Sequence, residues 1–397
     1  MTFKQKQKLN FFIFAYWHDA RFKVRAGGPI KVYELTQNLA KRHHQVYLFI
    51  PKIGYPEQQT IAHVCPIPFI DIPILRFVSF QLVAFFWAIS IALRRNFPDI
   101  IYVRIMWSFL PMILGKLLSV PVILEINDSP HRAYASINNF CKRTIVHLID
   151  KISFTLSDYF LPVTQKIAKD MNTLEGITFE KMAVLPSGAN IDLFHPMDKL
   201  QCSRELGFKE PFLYIGFIGT FFHYQGIDTL IGAAPLIIQK CPNVRFLILG
   251  DGPMKDTWQR IIIENELESY FILPGFIPYN FVPSYCAIMD ICVAPFQRSA
   301  CDTSGVKIFD YLACGKPVLT TDVGETSSFF RESGAVIIVP PEDPAALANG
   351  LDNLLKDKTL REEMGKKGRA FVTGNYSRTQ IAEIVETVSM KLLRSPE

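Results

Sequence analysis

Short, almost unbroken apolar runs alternate along this chain with longer stretches whose apolar positions recur every three or four residues. The first rhythm is that of strands buried on both faces, and the second is that of amphipathic helices. In order, the pattern predicts strand 9–17, helix 29–43, strand 45–50, helix 75–95, strand 100–104, helix 108–118, strand 120–126, helix 138–156 and strands 159–163 and 182–185. It then restarts with strand 211–217, helix 226–239, strand 244–249, helix 254–265, strand 270–273 and strand 288–294, and ends in helices 343–355, 360–371 and 377–393. Continuous apolar strands separated by helices imply parallel sheets covered on both faces, and crossover handedness makes each sheet doubly wound. The expected fold is therefore α/β, with two Rossmann-like domains over 1–195 and 196–375 and a terminal segment over 376–397. The turn-rich stretch from Pro186 to Pro196 is the natural linker.

Length agrees, since 397 residues suffice for two cores. Half of the chain is hydrophobic and a fifth charged, which excludes a disordered protein. The net charge is only +5 without a dense basic block, so nucleic acid is not an indicated partner. Eight cysteines without a Cys-x-x-Cys spacing argue for reduced, packed thiols in a cytoplasmic protein, and against zinc or a disulfide framework. Lysines before 11–17 imitate a secretory signal, but the apolar part is short and no small-residue cleavage pattern follows, so this stretch reads as the first strand. Residues 75–93 are apolar around nearly the whole helix circumference. Their length and the Arg94-Arg95 pair rank a core or surface-docking helix ahead of a true span, and leave open peripheral membrane contact through 67–95, at the inner membrane face.

The most informative stretch runs from Arg298 to Thr321, between two apolar strands. A loop entering a helix start seats anions, because free backbone N–H groups and the positive end of the helix dipole face the ligand. Thr303, Ser304, Gly305, Val306 and Lys307 occupy that start, and Asp302 and Asp310 lie about two turns apart on one face, where acids suit sugar hydroxyls. Phosphate at the helix start and polyol on the carboxylates describe a nucleotide sugar.

An acid, seven residues, an acid and then Ala313-Cys-Gly315-Lys-Pro-Val318 resemble the signature of the retaining group 1 (GT4-type, glycogen-synthase-like) glycosyltransferases of GT-B fold, with Asp at both positions where that family usually has Glu. The resemblance extends over nearly the whole chain. Gly27-Gly28-Pro29 matches the glycine-rich first loop; the helix after it ends in His43-His44-Gln-Val46, where His44 reads as structural; and 186–196 matches the linker, with Ser187 replacing Asn. Gly250-Asp-Gly252-Pro253 matches a strand-end turn, and the loop ending in Ile277 matches the one whose backbone reads the nucleotide base. After strand 211–217, Gly219 is followed by Thr220 and Gln225 where the family carries Arg and Lys for the donor diphosphate. Neutral residues cannot form those charge-assisted bonds, so Lys307, the neighbouring amides and Arg298 or His223 must carry the load.

The resemblance implies two domains facing a central cleft, a final helix returning to the first domain, and a metal-independent retaining transferase with no cofactor beyond its nucleotide-diphosphate sugar. The acceptor, a glycan or lipid-linked molecule of polysaccharide, glycolipid or cell-envelope synthesis, is then expected on the first domain. There Arg104, Asn127, Asp128 and His131 emerge at strand ends, with Asp128 and His131 as candidates for proton transfer and helix capping as the rival reading. Two alternatives stay open: a GT-B nucleotide-sugar epimerase, and a non-catalytic nucleotide-sugar-binding protein, which the missing Arg and Lys would suit.

Overall fold

The computed structural model describes residues 8–16, 27–52, 61–72, 75–94, 96–104, 109–129, 139–208, 212–300 and 304–394. They form two compact units, divided after Pro186 and again after Arg378.

The first unit contains a six-stranded parallel sheet in the order β3-β2-β1-β4-β5-β6. Its strands are β1 (Asn10–Phe14), β2 (Gln45–Pro51), β3 (His63–Ile67), β4 (Ile100–Arg104), β5 (Val122–Ile126) and β6 (Tyr159–Pro162). On one face lie α1 (Gly27–Lys41) and, from the far end of the chain, the last helix of the protein, Arg378–Arg394, whose Ile381, Ala382, Val385 and Val388 join Val32, Leu35 and Leu39 in one core cluster. Arg42 donates to Glu386, and His44 accepts the Leu9 N–H through Nδ1 at 3.1 Å and faces Glu386 at 3.4 Å through Nε2, so His44 is a structural residue. On the other face lie α2 (Leu75–Leu93), α3 (Leu110–Leu118), α4 (Phe140–Leu156) and α5 (Gln165–Glu175), over a second cluster around Phe12, Phe14, Phe49, Phe80 and Val103.

The expected strand over 182–185 is absent as a strand. Only an isolated parallel bridge, Met182 to Phe160, extends the sheet at β6, because the segment is already turning toward Pro186. β3, α5, a strand over 336–339 and three short helices of the second unit, over 199–206, 282–288 and 324–331, lie outside the elements expected from the chain; β3 has only a half-buried, interrupted apolar pattern.

The second unit starts with α6 (Lys199–Leu206) and contains the sheet order β12-β11-β10-β7-β8-β9, again all parallel. Its strands are β7 (Leu213–Ile218), β8 (Val244–Leu249), β9 (Phe271–Gly275), β10 (Ile291–Ala294), β11 (Val318–Thr321) and β12 (Val336–Val339). Helices α7 (Ile227–Lys240), α8 (Lys255–Glu264), α9 (Val282–Ile288), α10 (Val306–Ala313), α11 (Gly324–Arg331), α12 (Pro344–Lys356) and α13 (Lys358–Asn375) follow; the last helix of the protein is α14. The linker belongs to this unit rather than ending the first at 195. Arg369 donates to the carbonyls of Phe194 (2.6 Å), Ala313 (2.8 Å) and Ile191 (3.2 Å), and the buried Arg378 donates to the Ser187 carbonyl, so two guanidinium groups satisfy carbonyls of the linker backbone.

Candidate active site

In the second unit β7 has β8 on one side and β10 on the other, so the strand order reverses between β7 and β10. Open parallel sheets bind ligands outside the carboxyl ends of strands at such a switch point. The loop after β7 and the loop after β10 meet there. Gly226, at φ +69°, has no room for a side chain, since a Cβ would lie 1.9 Å from the Pro295 carbonyl oxygen. Gln297 donates to both Asp228 oxygens, at 2.9 and 3.2 Å, and the Thr320 and Thr321 hydroxyls tie the end of β11 to the carbonyls of Ala294 and Phe296.

Lys307, in the first turn of α10, points its ammonium into this junction. Nζ donates to Gln225 Oε1 at 2.5 Å, stands 3.8 Å from the Phe217 ring centroid and 5.4 Å from that of Phe296, and lies where a Gly219 side chain would start, 2.7 Å from that virtual Cβ. The two rings favour a cation electrostatically, but no carboxylate among the described residues pairs with it. Burial therefore pushes the Lys307 pKa well below the usual lysine value. Ser304 and Gly305 precede it; Ser304 bonds the Ser187 hydroxyl at 3.0 Å, and Gly305 caps α10 in the left-handed conformation at φ +60°. Asp310 lies one turn beyond Lys307 on the same helix, and the Tyr311 hydroxyl accepts the Ile218 N–H at 2.7 Å, fixing α10 to the end of β7.

The first unit repeats this logic with different chemistry. Its sheet reverses between β1 and β4, where α1 begins at Gly27 and Gly28 and where Arg104 ends β4. Beneath lies a fully buried carboxylate, Glu125, which accepts from Lys31 Nζ at 2.8 Å and from the Tyr102 hydroxyl at 2.5 Å. Burial alone would raise its pKa, but Lys31 and Arg104, with both hydrogen bonds, outweigh it and hold the carboxyl at about 2. Asn127 continues this strand end half-buried, its Nδ2 buried without a hydrogen-bond partner among the described residues, and Asp128 follows, exposed.

Two family descriptions cover most of the chain in succession: "Glycosyltransferase Family 4" over residues 27–193 and "Glycosyl transferases group 1" over 198–371. The chain belongs to the group 1, GT4 family of glycosyltransferases. Among its relatives is a 2-deoxystreptamine N-acetyl-D-glucosaminyltransferase of Niallia circulans, 24% identical over 71% of this chain and 74% of the relative. Another is the alpha-monoglucosyldiacylglycerol synthase of Acholeplasma laidlawii, 23% identical over 76% and 78%. Among solved structures, Anabaena HepE in complex with UDP superposes with a TM-score of 0.73 at 17% identity, over 97% of this chain and all of the other, which shows the GT-B fold.

In this transferase the switch point of the second unit gathers Gly219, Thr220, Gln225, Ser304, Gly305, Val306 and Lys307, all called from the sequence. Gln225 is buried and serves to hold Lys307. Arg298 is turned away into an exposed pair with Glu342 at 3.3 Å. Gly252 adjoins the site because its turn packs on the β7 loop: a Cβ there would lie 2.7 Å from the Phe221 nitrogen. Ile277 is half-buried against the core beyond β9. Asp302, Thr303 and His131 lie outside the described residues. Sequence reasoning missed Lys31, Tyr102 and Glu125 as one network, since residues 94 positions apart meet only through sheet topology.

Proposed function

We propose that this nucleotide-sugar-dependent glycosyltransferase, of a retaining hexosyltransferase family, takes a UDP-hexose donor held by the second unit and an acceptor hydroxyl of a glycan or lipid-linked molecule held at the strand ends of the first, in cytoplasmic envelope-glycan or glycolipid synthesis at the inner membrane face. One observation carries the donor assignment: the Lys307 ammonium, desolvated and lacking a carboxylate among the described residues, stands at the switch point beside the start of α10. A diphosphate oxygen supplies the missing anion. The backbone N–H groups that open α10 add further donors. As the sugar departs, negative charge accumulates on the diphosphate, and a preorganised ammonium stabilises that charge more than it stabilises the ground state. In this reading Thr220 and Gln225 do not mark a lost site; the cation reaches it from α10 instead. UDP in a solved relative of the same fold supports the base, and the diacylglycerol named for another relative supports a lipid acceptor. Arg104, Asn127 and Asp128 are assigned to the acceptor.

Calorimetric titration with UDP, GDP and ADP, together with Lys307→Ala and Asp310→Ala, tests the reading. Selective UDP binding, weakened in both variants, is expected. Full affinity and turnover in Lys307→Ala would remove this lysine from the donor site, and product formed with inverted anomeric configuration would overturn retention.

A further inference from the structure

Within the helix layer α2, α3 and α4 on one face of the first unit, α2 and α4 are amphipathic the wrong way round. α2 packs on the sheet through Phe80, Gln81, Ala84, Ala88 and Ala92, mostly small side chains, and turns Leu82, Phe86, Trp87 and Leu93 outward, Phe86 being 65% and Leu93 80% exposed. α4 repeats the inversion: Val146, Asp150, Ser153 and Phe154 face inward, while Phe140, Ile145 and Leu148 are exposed. α3 touches both of its neighbours and adds Leu117, 67% exposed. Large apolar side chains left exposed together on three neighbouring helices mark an interaction site. Charge selects the occupant. The three helices carry five basic residues and one acid, Asp150, which is buried. Arg76 and Lys116 pair with Asp71 and Asp158 at the rim, whereas Lys142, Arg143 and Lys151 on α4 stand exposed with no ion pair among the described residues.

We propose that this layer is the face by which the transferase lies on an anionic phospholipid bilayer, with α2 and α4 immersed along their length in the interface. The proposal deepens the lipid-acceptor reading above and rests on it for its purpose, though not for its physics. Apolar side chains flanked by Lys and Arg, with an interfacial Trp, suit a headgroup boundary, where both the buried apolar area and the surface potential contribute. α2 meets the length and composition of a membrane span, yet its Ala stripe is packed on the sheet, so the helix lies on the fold rather than leaving it. A second copy is the poorer occupant, because a symmetric pairing sets the same cationic face against itself.

The test is co-sedimentation of the full chain with vesicles of phosphatidylcholine, with and without phosphatidylglycerol, and UDP calorimetry on the same samples. Wild type is expected to sediment with the anionic vesicles and less so as salt rises. Combined Leu82→Glu and Phe86→Glu is expected to lose binding by 100-fold or more in order of magnitude, and combined Lys142→Gln and Arg143→Gln by roughly 30-fold, at about 5-fold per charge. All variants should keep UDP affinity and the wild-type circular dichroism. Wild type that ignores every vesicle, or variants that bind as well as it does, would sink the proposal. So would a concentration-dependent dimer that Phe86→Glu dissociates, which would assign the face to a second copy. Intact UDP binding without vesicle binding fails this surface alone; vesicle binding without UDP binding fails the donor reading alone.

Discussion

A neutral amide holding the ammonium of a half-buried lysine is a poised arrangement. Gln225 Oε1 satisfies one N–H of Lys307 at 2.5 Å without cancelling its charge, so the field of the cation stays available to a diphosphate. Gln225→Glu converts the pair into a permanent salt bridge. It should raise the Lys307 pKa and weaken UDP binding about 10–100-fold, measured by calorimetry, because the carboxylate occupies the cation and repels the ligand. Lys307→Met should lower turnover by roughly 10²–10³ while raising Tm, since it removes a desolvated charge. The pH dependence has a definite sign. The free enzyme holds the Lys307 pKa well below the lysine norm, and a bound diphosphate favours the charged form. Above the free-state pKa, binding must therefore take up a proton. UDP affinity should fall as pH rises through that value, by at most about tenfold per pH unit, and calorimetry in buffers of different ionisation enthalpy should register the uptake. Affinity flat with pH in that range would place the ammonium elsewhere during binding.

At the scale of elements, the first unit is locked at its strand ends by the Lys31, Tyr102 and Glu125 network, which joins α1, β4 and β5. Lys31→Met leaves Glu125 buried without its nearest cation and should cost about 3–5 kcal/mol in chemical denaturation. With the carboxyl held at about 2 against an ordinary 4.5, the folded-state pKa is depressed. Its stabilisation is thus complete above about 4.5 and is lost as pH falls through about 2. Wild type should lose stability across that acid window, and Lys31→Met should lose less there because it has less to lose. In the second unit Gly219→Ala should reduce turnover without unfolding the chain. Its Cβ would lie 2.7 Å from Lys307 Nζ, which can shift, but only away from its post.

For the whole molecule, each unit has its own core, and the division is not collinear with the chain. The last helix, α14, completes the first unit by burying Ile381, Ala382, Val385 and Val388 beside α1. Ending the chain at Arg378 should destabilise the first unit and leave the second close to intact. Thermal unfolding followed by calorimetry should then show the UDP-shifted transition retained and the other lowered or gone; a parallel loss of both would mean that the units do not unfold separately.

The chain alone determined the two successive α/β rhythms, because a strand buried on both faces and a helix with one apolar stripe leave different periods in the sequence. It also placed Gly305, Val306, Lys307 and Asp310 together, since one loop and one short helix carry them all. Three matters belonged to tertiary structure. Gln225 reads in the chain as a neutral substitute for a charge, and only the meeting of two strand-end loops shows it gripping Lys307. The linker reads as a boundary at 195, and only the reach of Arg369 and Arg378 from 175 and 191 residues away assigns it to the second unit. The apolar circumference of α2 fits a core helix and a surface helix equally well. Which side faces the sheet depends on the packing of Ala84, Ala88 and Ala92, and that choice left its large side chains exposed.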